Sequence, residues 1–186
     1  MNLEQIINEI NKDLDDTQDN GDLIGWINRC MDDLSPIAKK EAKTVYEISS
    51  LNGYDLPEDL LEIALVLVNG TQYDPVVLND SWSTGYKRWG NVLSLQNAPS
   101  DGQVELYYFK RLSHLENLED VPEIEPTFHD LFILYTIAHQ QFSEDEPERQ
   151  MDALTRYNNR NGEFNRFVMA NSFVYNSQRQ ITDVWW

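Results

Sequence analysis

The spacing of hydrophobic residues predicts two helices at the start of the chain. Apolar side chains recur every three or four positions from Leu3 to Leu14, which indicates one amphipathic helix. A second such pattern begins near Asp22, and Ser35-Pro36 is expected to end it. The predicted inner faces are Leu3, Ile6, Ile7, Ile10 and Leu14 in the first helix, and Leu23, Trp26, Ile27, Cys30, Met31 and Leu34 in the second.

The pattern changes between Lys43 and Leu112 to short runs of β-branched and aromatic residues separated by turn residues. Asp101-Gly102 predicts a hairpin between the last two of these runs, since such dipeptides join antiparallel strands. The middle of the chain is therefore predicted to form an antiparallel sheet. Its strands are expected near residues 43–48, 61–68, 76–78, 91–95 and 103–110.

Helical spacing returns after the acidic, proline-containing linker at residues 116–126. One helix is predicted from Phe128 to Phe142, and another from Pro147, because proline suits the first helical position. Gly162 should weaken the last helix by about 1 kcal/mol relative to alanine if the position is exposed. The expected inner faces are Phe128, Leu131, Phe132, Tyr135, Ala138 and Phe142, then Met151, Leu154, Asn158, Asn161, Phe164 and Val168.

The carboxy-terminal residues show no periodicity, yet they are too apolar for an ordinary solvated tail. Two interpretations stay open: the tail packs on its own domain, or it anchors the chain to a partner. Tryptophan suits the second role because it buries a large area at little cost in rotamer entropy. The proposed anchoring residues are Phe173, Val174, Tyr175, Ile181, Val184, Trp185 and Trp186.

These elements predict an α+β fold: a helical bundle with an antiparallel β subdomain in the middle and an extended C-terminal tail. We expect one domain over residues 1–169, with helices within 1–42 and 127–169, a β region at 43–112 and an arm at 170–186. The longest apolar run, residues 63–68, is far shorter than the roughly 20 residues that span a bilayer. We therefore expect no membrane association and no export.

The chain carries a net charge of −18, from 32 acidic and 14 basic residues. Such a charge repels a phosphate backbone, so tight binding to nucleic acid is not expected. It could serve solubility, mimicry of DNA, or a channel wall along which DNA slides. A small basic and aromatic cluster could stack on bases, but we interpret it as a subunit contact or a local ion pair. Its residues are Tyr86, Lys87, Arg88 and Trp89.

Residues that could bind a metal do not have the spacing that a calcium loop or a helical zinc site requires. A calcium loop starting at Asp16 would need a carboxylate at its twelfth position, where Ile27 stands. His129 and His139 lie ten residues apart, so one helical turn cannot offer both to a zinc ion. Cys30 is the only cysteine, which excludes an intrachain disulfide, and we expect a buried thiol. No metal and no cofactor are predicted.

No catalytic group is predicted either. His129 could act as a general base only with an orienting partner and a nucleophile, and no such motif stands in a recognisable relation to it. We interpret it as a partly buried structural histidine. The glycines within 21–25 and 85–90 lack the following Lys-Ser or Lys-Thr of a phosphate-binding loop, so we assign them to turns.

The order of these parts resembles the head-to-tail adaptor (connector, or head-completion) proteins of tailed bacteriophages. The resemblance covers most of residues 1–169, although the strand region at 43–112 is longer than in the plainest members of that family. It rests on the opening helical pair, the step Gly53-Tyr54-Asp55-Leu56-Pro57, the predicted hairpin segment at 103–111, the loop at 121–126 and the helix that opens Phe128-His129-Asp130-Leu131.

This resemblance implies a structural, non-enzymatic virion protein at the neck, assembled in the host cytoplasm. It implies a homo-oligomeric ring of about twelve copies, docked beneath the portal protein and bound on its other face by the next neck or tail component. DNA would pass through the channel without specific binding, and the C-terminal arm would grip the portal or a neighbouring subunit. The alternative is an acidic DNA mimic that inhibits a nuclease or another DNA-binding protein, which explains the charge but not the aromatic arm.

Overall fold

The chain divides into a helical unit and a β unit inserted within it. The computed structural model describes residues 1–14, 18–48, 53–77, 82–140 and 147–171. The helical unit comprises Met1–Lys39 and the chain from Leu112 onward, and the β unit comprises Lys40–Arg111. The predicted α+β class is confirmed.

Each helix of the helical unit begins where the sequence provides a favourable first turn. Asn2 and Gln5 form a reciprocal capping box at the first helix, and the Asp19 carboxylate accepts from the Gly21 amide at the second. Pro147 begins the last helix, as its sequence position predicted. The elements are α1 (Leu3–Asp13), α2 (Asn20–Ala38), a 3-10 turn (Pro126–Phe128), α3 (Asp130–Gln140) and α4 (Pro147–Asn171).

The second helix runs beyond its predicted end. Pro36 lies inside α2, which ends at Ala38, and Lys39 follows in the left-handed conformation with φ of 45°. The Ser35 hydroxyl donates to the Met31 carbonyl at 2.8 Å, which adds a hydrogen bond in the turn that the proline disturbs. The prediction that Ser35-Pro36 would end the helix was therefore wrong.

The core of the helical unit joins all four helices and the segment that precedes α3. The stripes predicted for α1 and α2 are buried there, apart from Trp26 and Leu14, which are only partly buried. Its fully or nearly buried members are Leu3, Ile6, Ile7, Ile10, Leu23, Ile27, Cys30, Met31, Leu34, Leu112, Leu115, Ile124, Phe128, Leu131, Phe132, Tyr135, Tyr157 and Phe164.

The inner face of α4 differs from the predicted one. Met151 is 63% exposed and Leu154 is 37% exposed, whereas Ala153 and Tyr157 are buried. The Tyr157 ring packs edge-on against Tyr135, with the ring centroids 5.3 Å apart, so Tyr157 and not Leu154 faces the core. Asn158 is exposed and Asn161 is half-buried, so the prediction was correct only for Phe164, which is buried, and Val168, which is partly buried. The helical residues predicted around Phe142 lie outside the described part of the chain.

The strands of the β unit form two antiparallel sheets, in the orders β1-β7-β3-β4 and β2-β6-β5. Apolar side chains on the inner faces of these strands make a second core. The strands are β1 (Lys40–Glu47), β2 (Gly53–Asp55), β3 (Leu60–Val68), β4 (Thr71–Tyr73), β5 (Gly85–Trp89), β6 (Val92–Gln96) and β7 (Gln103–Lys110).

Four predicted strands are confirmed within a few residues, but the predicted hairpin is wrong. β6 pairs with β2 and β5, while β7 lies between β1 and β3 in the other sheet. The Asp101-Gly102 step instead meets Asn69, whose side chain donates to the Asp101 carbonyl and accepts from the Gln103 amide. These bonds hold the start of β7 beside β3. β7 then pairs with β3 along one edge and with β1 along the other.

The strand predicted at 76–78 is not observed at its described residues. Pro75 forms only an isolated bridge with Tyr86, and Val76 donates to the Tyr86 carbonyl at 2.9 Å. Proline cannot donate to a ladder, which limits the pairing of this segment. Leu78 lies outside the described residues, and β2, β4 and β5 were not predicted.

Candidate functional site

The tip of the β5–β6 hairpin is a rigid part of the β unit. Gly90, with φ of 59°, and Asn91 form its two-residue turn. The Asn91 side chain donates to the Leu56 carbonyl at 3.1 Å, and the Leu56 amide donates to the Asn91 carbonyl at 2.8 Å. Arg88 Nε also donates to the Gly90 carbonyl at 3.2 Å. The turn is therefore held from both sides before any partner binds.

This tip exposes apolar side chains beside cations. Trp89 is 73% exposed and stands opposite Val92, which is 37% exposed. Arg88 is exposed and Lys87 half-buried, so these four residues, Lys87, Arg88, Trp89 and Val92, form what we call the hairpin surface. Tyr86, predicted with them, instead packs on the core of the β unit, where burial raises the pKa of its hydroxyl.

The hairpin also differs from the rest of the chain in charge. Residues 82–97 contain Lys87 and Arg88 and no acidic residue, in a chain with 32 acidic residues. The helical unit, by contrast, contains 22 of those acidic residues and only 8 of the 14 basic ones. An acidic partner would therefore meet a locally favourable potential at the hairpin surface.

A second exposed surface lies on the loop at residues 116–121 of the helical unit, called here the acidic loop. Leu118 is 44% exposed and Val121 is 58% exposed. Glu116 and Glu119 are exposed beside them. The sequence predicted only a linker here, and the alternation of apolar and acidic residues was the signal that could have indicated a binding surface.

The acidic loop is tied to the start of α1 by backbone hydrogen bonds. Leu3 donates to the Asp120 carbonyl at 2.8 Å, and Glu4 donates to the Leu118 carbonyl at 2.9 Å. The Asp120 carboxylate accepts from the backbone amides of Asn117 and Glu116, and these bonds lower the pKa of Asp120. The loop conformation is thus fixed, and the Asp120 carboxylate is already used within it.

The ring of His129, the residue considered above as a general base, contacts backbone groups of its own unit. His129 is fully buried; its Nδ1 lies 2.8 Å from the Met1 amino nitrogen and its Nε2 lies 3.3 Å from the Ile124 carbonyl oxygen. Burial lowers the pKa of His129, so the neutral ring is favoured. The structural interpretation fits, although the residue is more deeply buried than predicted.

Cys30 is fully buried, as predicted, and burial raises the pKa of its thiol.

The glycines assigned to turns have different positions in the structure. Gly21 and Gly25 lie within α2, so their assignment to a turn was wrong. Gly85 lies in β5 against the Asp74 carbonyl, whereas Gly90 does occupy a turn. Ile27, the residue that breaks the calcium-loop pattern, is buried in the core of the helical unit.

Among the described residues, no group of three or more His, Cys, Asp and Glu side chains is placed to hold a metal ion. None of the helices in the described ranges is long and apolar enough to cross a membrane. The arm residues Phe173 to Trp186 lie outside the described part of the chain.

Rigid exposed surfaces that combine apolar side chains with charge are typical of proteins that assemble with other proteins. The comparison with known families places the chain among the structural head-to-tail adaptors of tailed bacteriophages. The family model of the SU10 adaptor protein matches residues 1–180, and the chain belongs to this family. The resemblance found in the sequence is thereby confirmed. No curated protein matches the chain.

Proposed function

We propose that the chain forms a ring of about twelve copies that docks on the portal, extends the DNA channel and presents the attachment surface for the tail. The observation that supports this most strongly is the match to the adaptor family, because it includes both the helical unit and the β unit. In this role the protein acts through binding surfaces and not through catalysis.

The C-terminal arm is the proposed anchor to the portal or to a neighbouring subunit. Residues 170–186 hold one basic and one acidic residue, Arg179 and Asp183, so burying the arm desolvates little charge. Its aromatic and β-branched residues supply apolar area instead. The family match ends at residue 180, so the last six residues, with Ile181, Val184, Trp185 and Trp186, lie beyond the shared region. We propose that these six residues make the arm specific for the partner that this chain binds.

The acidic residues are proposed to line the passage for DNA. Packaged DNA must slide past the ring without being held, and carboxylates repel its phosphates. The concentration of acidic residues in the helical unit supports a channel wall built from that unit. The alternative, an acidic mimic of DNA, is supported by the net charge alone.

Reconstitution with the portal protein of the same phage tests the proposal. The full-length chain is mixed with purified portal rings, and complexes are isolated by gradient sedimentation and imaged by electron microscopy. The matched control is a full-length chain in which residues 172–186 are scrambled, so that length and composition stay the same. We expect an added ring beneath the portal with the native arm, and strongly reduced binding with the scrambled arm.

Two results would overturn parts of this proposal. Absence of the native chain from portal complexes would contradict the adaptor function. Equal binding of the native and scrambled chains would leave docking intact and contradict the anchoring role of the arm. Tight capture of a host nuclease in place of the portal would support the DNA-mimic alternative.

A further inference from the structure

We propose that the hairpin surface of one copy docks on the acidic loop of the next copy. This inference rests on the proposed ring and names the two surfaces that form its subunit contact. Because the two surfaces are different parts of the chain, the contact is heterologous, and a heterologous contact repeats from copy to copy as a ring requires.

The two surfaces match in polarity. The hairpin surface offers the exposed apolar side chains Trp89 and Val92, and the acidic loop offers Leu118 and Val121. Burial of these four side chains against one another would remove apolar area from water. A tryptophan at the centre of such a contact is the residue type most often found to dominate binding energy.

The two surfaces are also opposite in charge. Lys87 and Arg88 come directly before Trp89 in the chain, and Glu116 and Glu119 come within two residues of Leu118; Arg88 and both glutamates are exposed. Opposite charges at the edge of an apolar contact steer the approach and fix its register. The repulsion expected between chains of net charge −18 is thereby relieved at one location.

Both surfaces are held by hydrogen bonds within their own unit, which favours binding because ordering a mobile segment on binding costs free energy. The turn of the hairpin is held by hydrogen bonds to Leu56, and the acidic loop is held by hydrogen bonds from Leu3 and Glu4. Neither backbone has to be ordered at the moment of contact. Both surfaces are present on every copy, so a second copy is the partner with the required chemistry.

Charge reversal in full-length protein tests the contact. Arg88→Glu places like charges in the contact, as does Glu119→Arg, and each variant alone should self-associate at least about tenfold more weakly than the native chain. A mixture of the two variants should recover association, because each hairpin then faces the opposite charge on its neighbour. Sedimentation velocity over a concentration series measures both effects, with circular dichroism as a check on folding.

Trp89→Ala and Trp82→Ala form a matched pair for the apolar part of the contact. Trp82 is 92% exposed, more than Trp89, but it precedes β5 and is not part of the hairpin surface. We expect Trp89→Ala to weaken self-association and Trp82→Ala to leave it unchanged. Equal losses for the two variants would contradict a contact centred on Trp89.

Cross-linking identifies the contact directly. Carbodiimide joins amines to carboxylates at zero length, so a mixture of ¹⁴N-labelled and ¹⁵N-labelled chains should give mixed-isotope peptides that link Lys87 to Glu116 or Glu119. Links from Lys87 to another region of the partner copy, or to the arm at 172–186, would overturn the proposal. Failure of the variant mixture to recover association, or a native chain that stays monomeric at every concentration, would overturn it too.

The portal reconstitution separates this inference from the proposed function. Rings on the portal that are unaffected by Arg88→Glu would retain the adaptor function and reject this contact. Recovery in the variant mixture without any binding to the portal would retain the contact and reject portal docking.

Discussion

Asn91 and Leu56 are joined by two hydrogen bonds, one from the Asn91 side chain to the Leu56 carbonyl and one from the Leu56 amide to the Asn91 carbonyl. The first bond depends on the asparagine side chain and the second does not. The side chain of Asn91 therefore connects the turn of the β5–β6 hairpin to the residue that follows β2. This connection makes the exposed Trp89 part of a fixed surface.

Asn91→Ala should lower the free energy of unfolding by about 1 kcal/mol, because it leaves the half-buried Leu56 carbonyl without its side-chain donor. Urea denaturation measures this loss. Gln72→Ala is the control, since it removes an exposed bond between Gln72 and Asp74 and should cost less than about 0.5 kcal/mol. Equal effects would show that the Asn91 bond does not hold the turn.

Arg160 should contribute more to the stability of the helical unit than Arg156. The guanidinium of Arg160 donates to Asp130 and to the Thr127 carbonyl and stacks over the Phe128 ring, with 25% of the side chain exposed. Arg156 pairs with Asp152 at 2.8 Å, and 68% of the Arg156 side chain is exposed.

We expect Arg160→Met to cost about 1–2 kcal/mol, since it removes charged hydrogen bonds and the cation–π contact. Arg156→Met should cost less than about 0.5 kcal/mol, as is usual for an exposed pair. Thermal unfolding of the two variants gives the comparison. A larger loss for Arg156→Met would be incompatible with the contacts described for Arg160.

Two glycine substitutions should have opposite signs. A methyl group at Gly162 in α4 meets nothing within 4 Å, so Gly162→Ala should stabilise the protein by about 0.5–1 kcal/mol. A methyl group at Gly85 in β5 would collide with the Asp74 carbonyl and the Val76 side chain, so Gly85→Ala should cost about 1–3 kcal/mol. Chemical denaturation of both variants tests the prediction, which fails if the signs agree.

The stability of the chain should fall as the pH drops below about 6.5, the ordinary pKa of histidine. Burial lowers the pKa of His129 in the folded state, so the unfolded state takes up a proton at a higher pH than the folded state does. Protonation therefore favours unfolding, and the loss grows until the pH reaches the lowered pKa. Burial also lowers the pKa of His139, which adds to the effect.

His129→Gln and His139→Gln should each flatten part of this pH dependence, and the double variant should flatten more of it. Urea unfolding at several pH values between about 7.5 and 5 measures the effect, since this interval spans the ordinary histidine pKa. An unchanged pH profile in the His129→Gln variant would contradict a buried neutral His129.

The helices could be predicted because their periodicity is local. Leu3, Ile6 and Ile10 lie one turn apart in sequence and are buried together in the structure. Partner choice among strands could not be predicted, since β6 and β7 are neighbours in sequence but lie in different sheets. Hydrogen bonds of the Asn69 side chain hold the start of β7, and local strand propensity does not predict such bonds.

The candidate site was predicted only in part. Lys87, Arg88 and Trp89 stood out in the sequence as a basic and aromatic cluster, and the structure places Arg88 and Trp89 exposed at the end of β5, beside the hairpin turn. The acidic loop was missed because acidic residues are abundant throughout the chain. Its exposed Leu118 and Val121 become recognisable only when the fold shows which apolar residues the core leaves out.

Electron cryomicroscopy of the neck of the intact phage particle would show whether the chain is a head-to-tail adaptor. We expect a closed ring of copies of this chain between the portal and the tail, with its C-terminal arms in contact with the portal or with adjacent copies. Absence of the chain from purified particles, or its location away from the head–tail junction, would contradict the adaptor function proposed here.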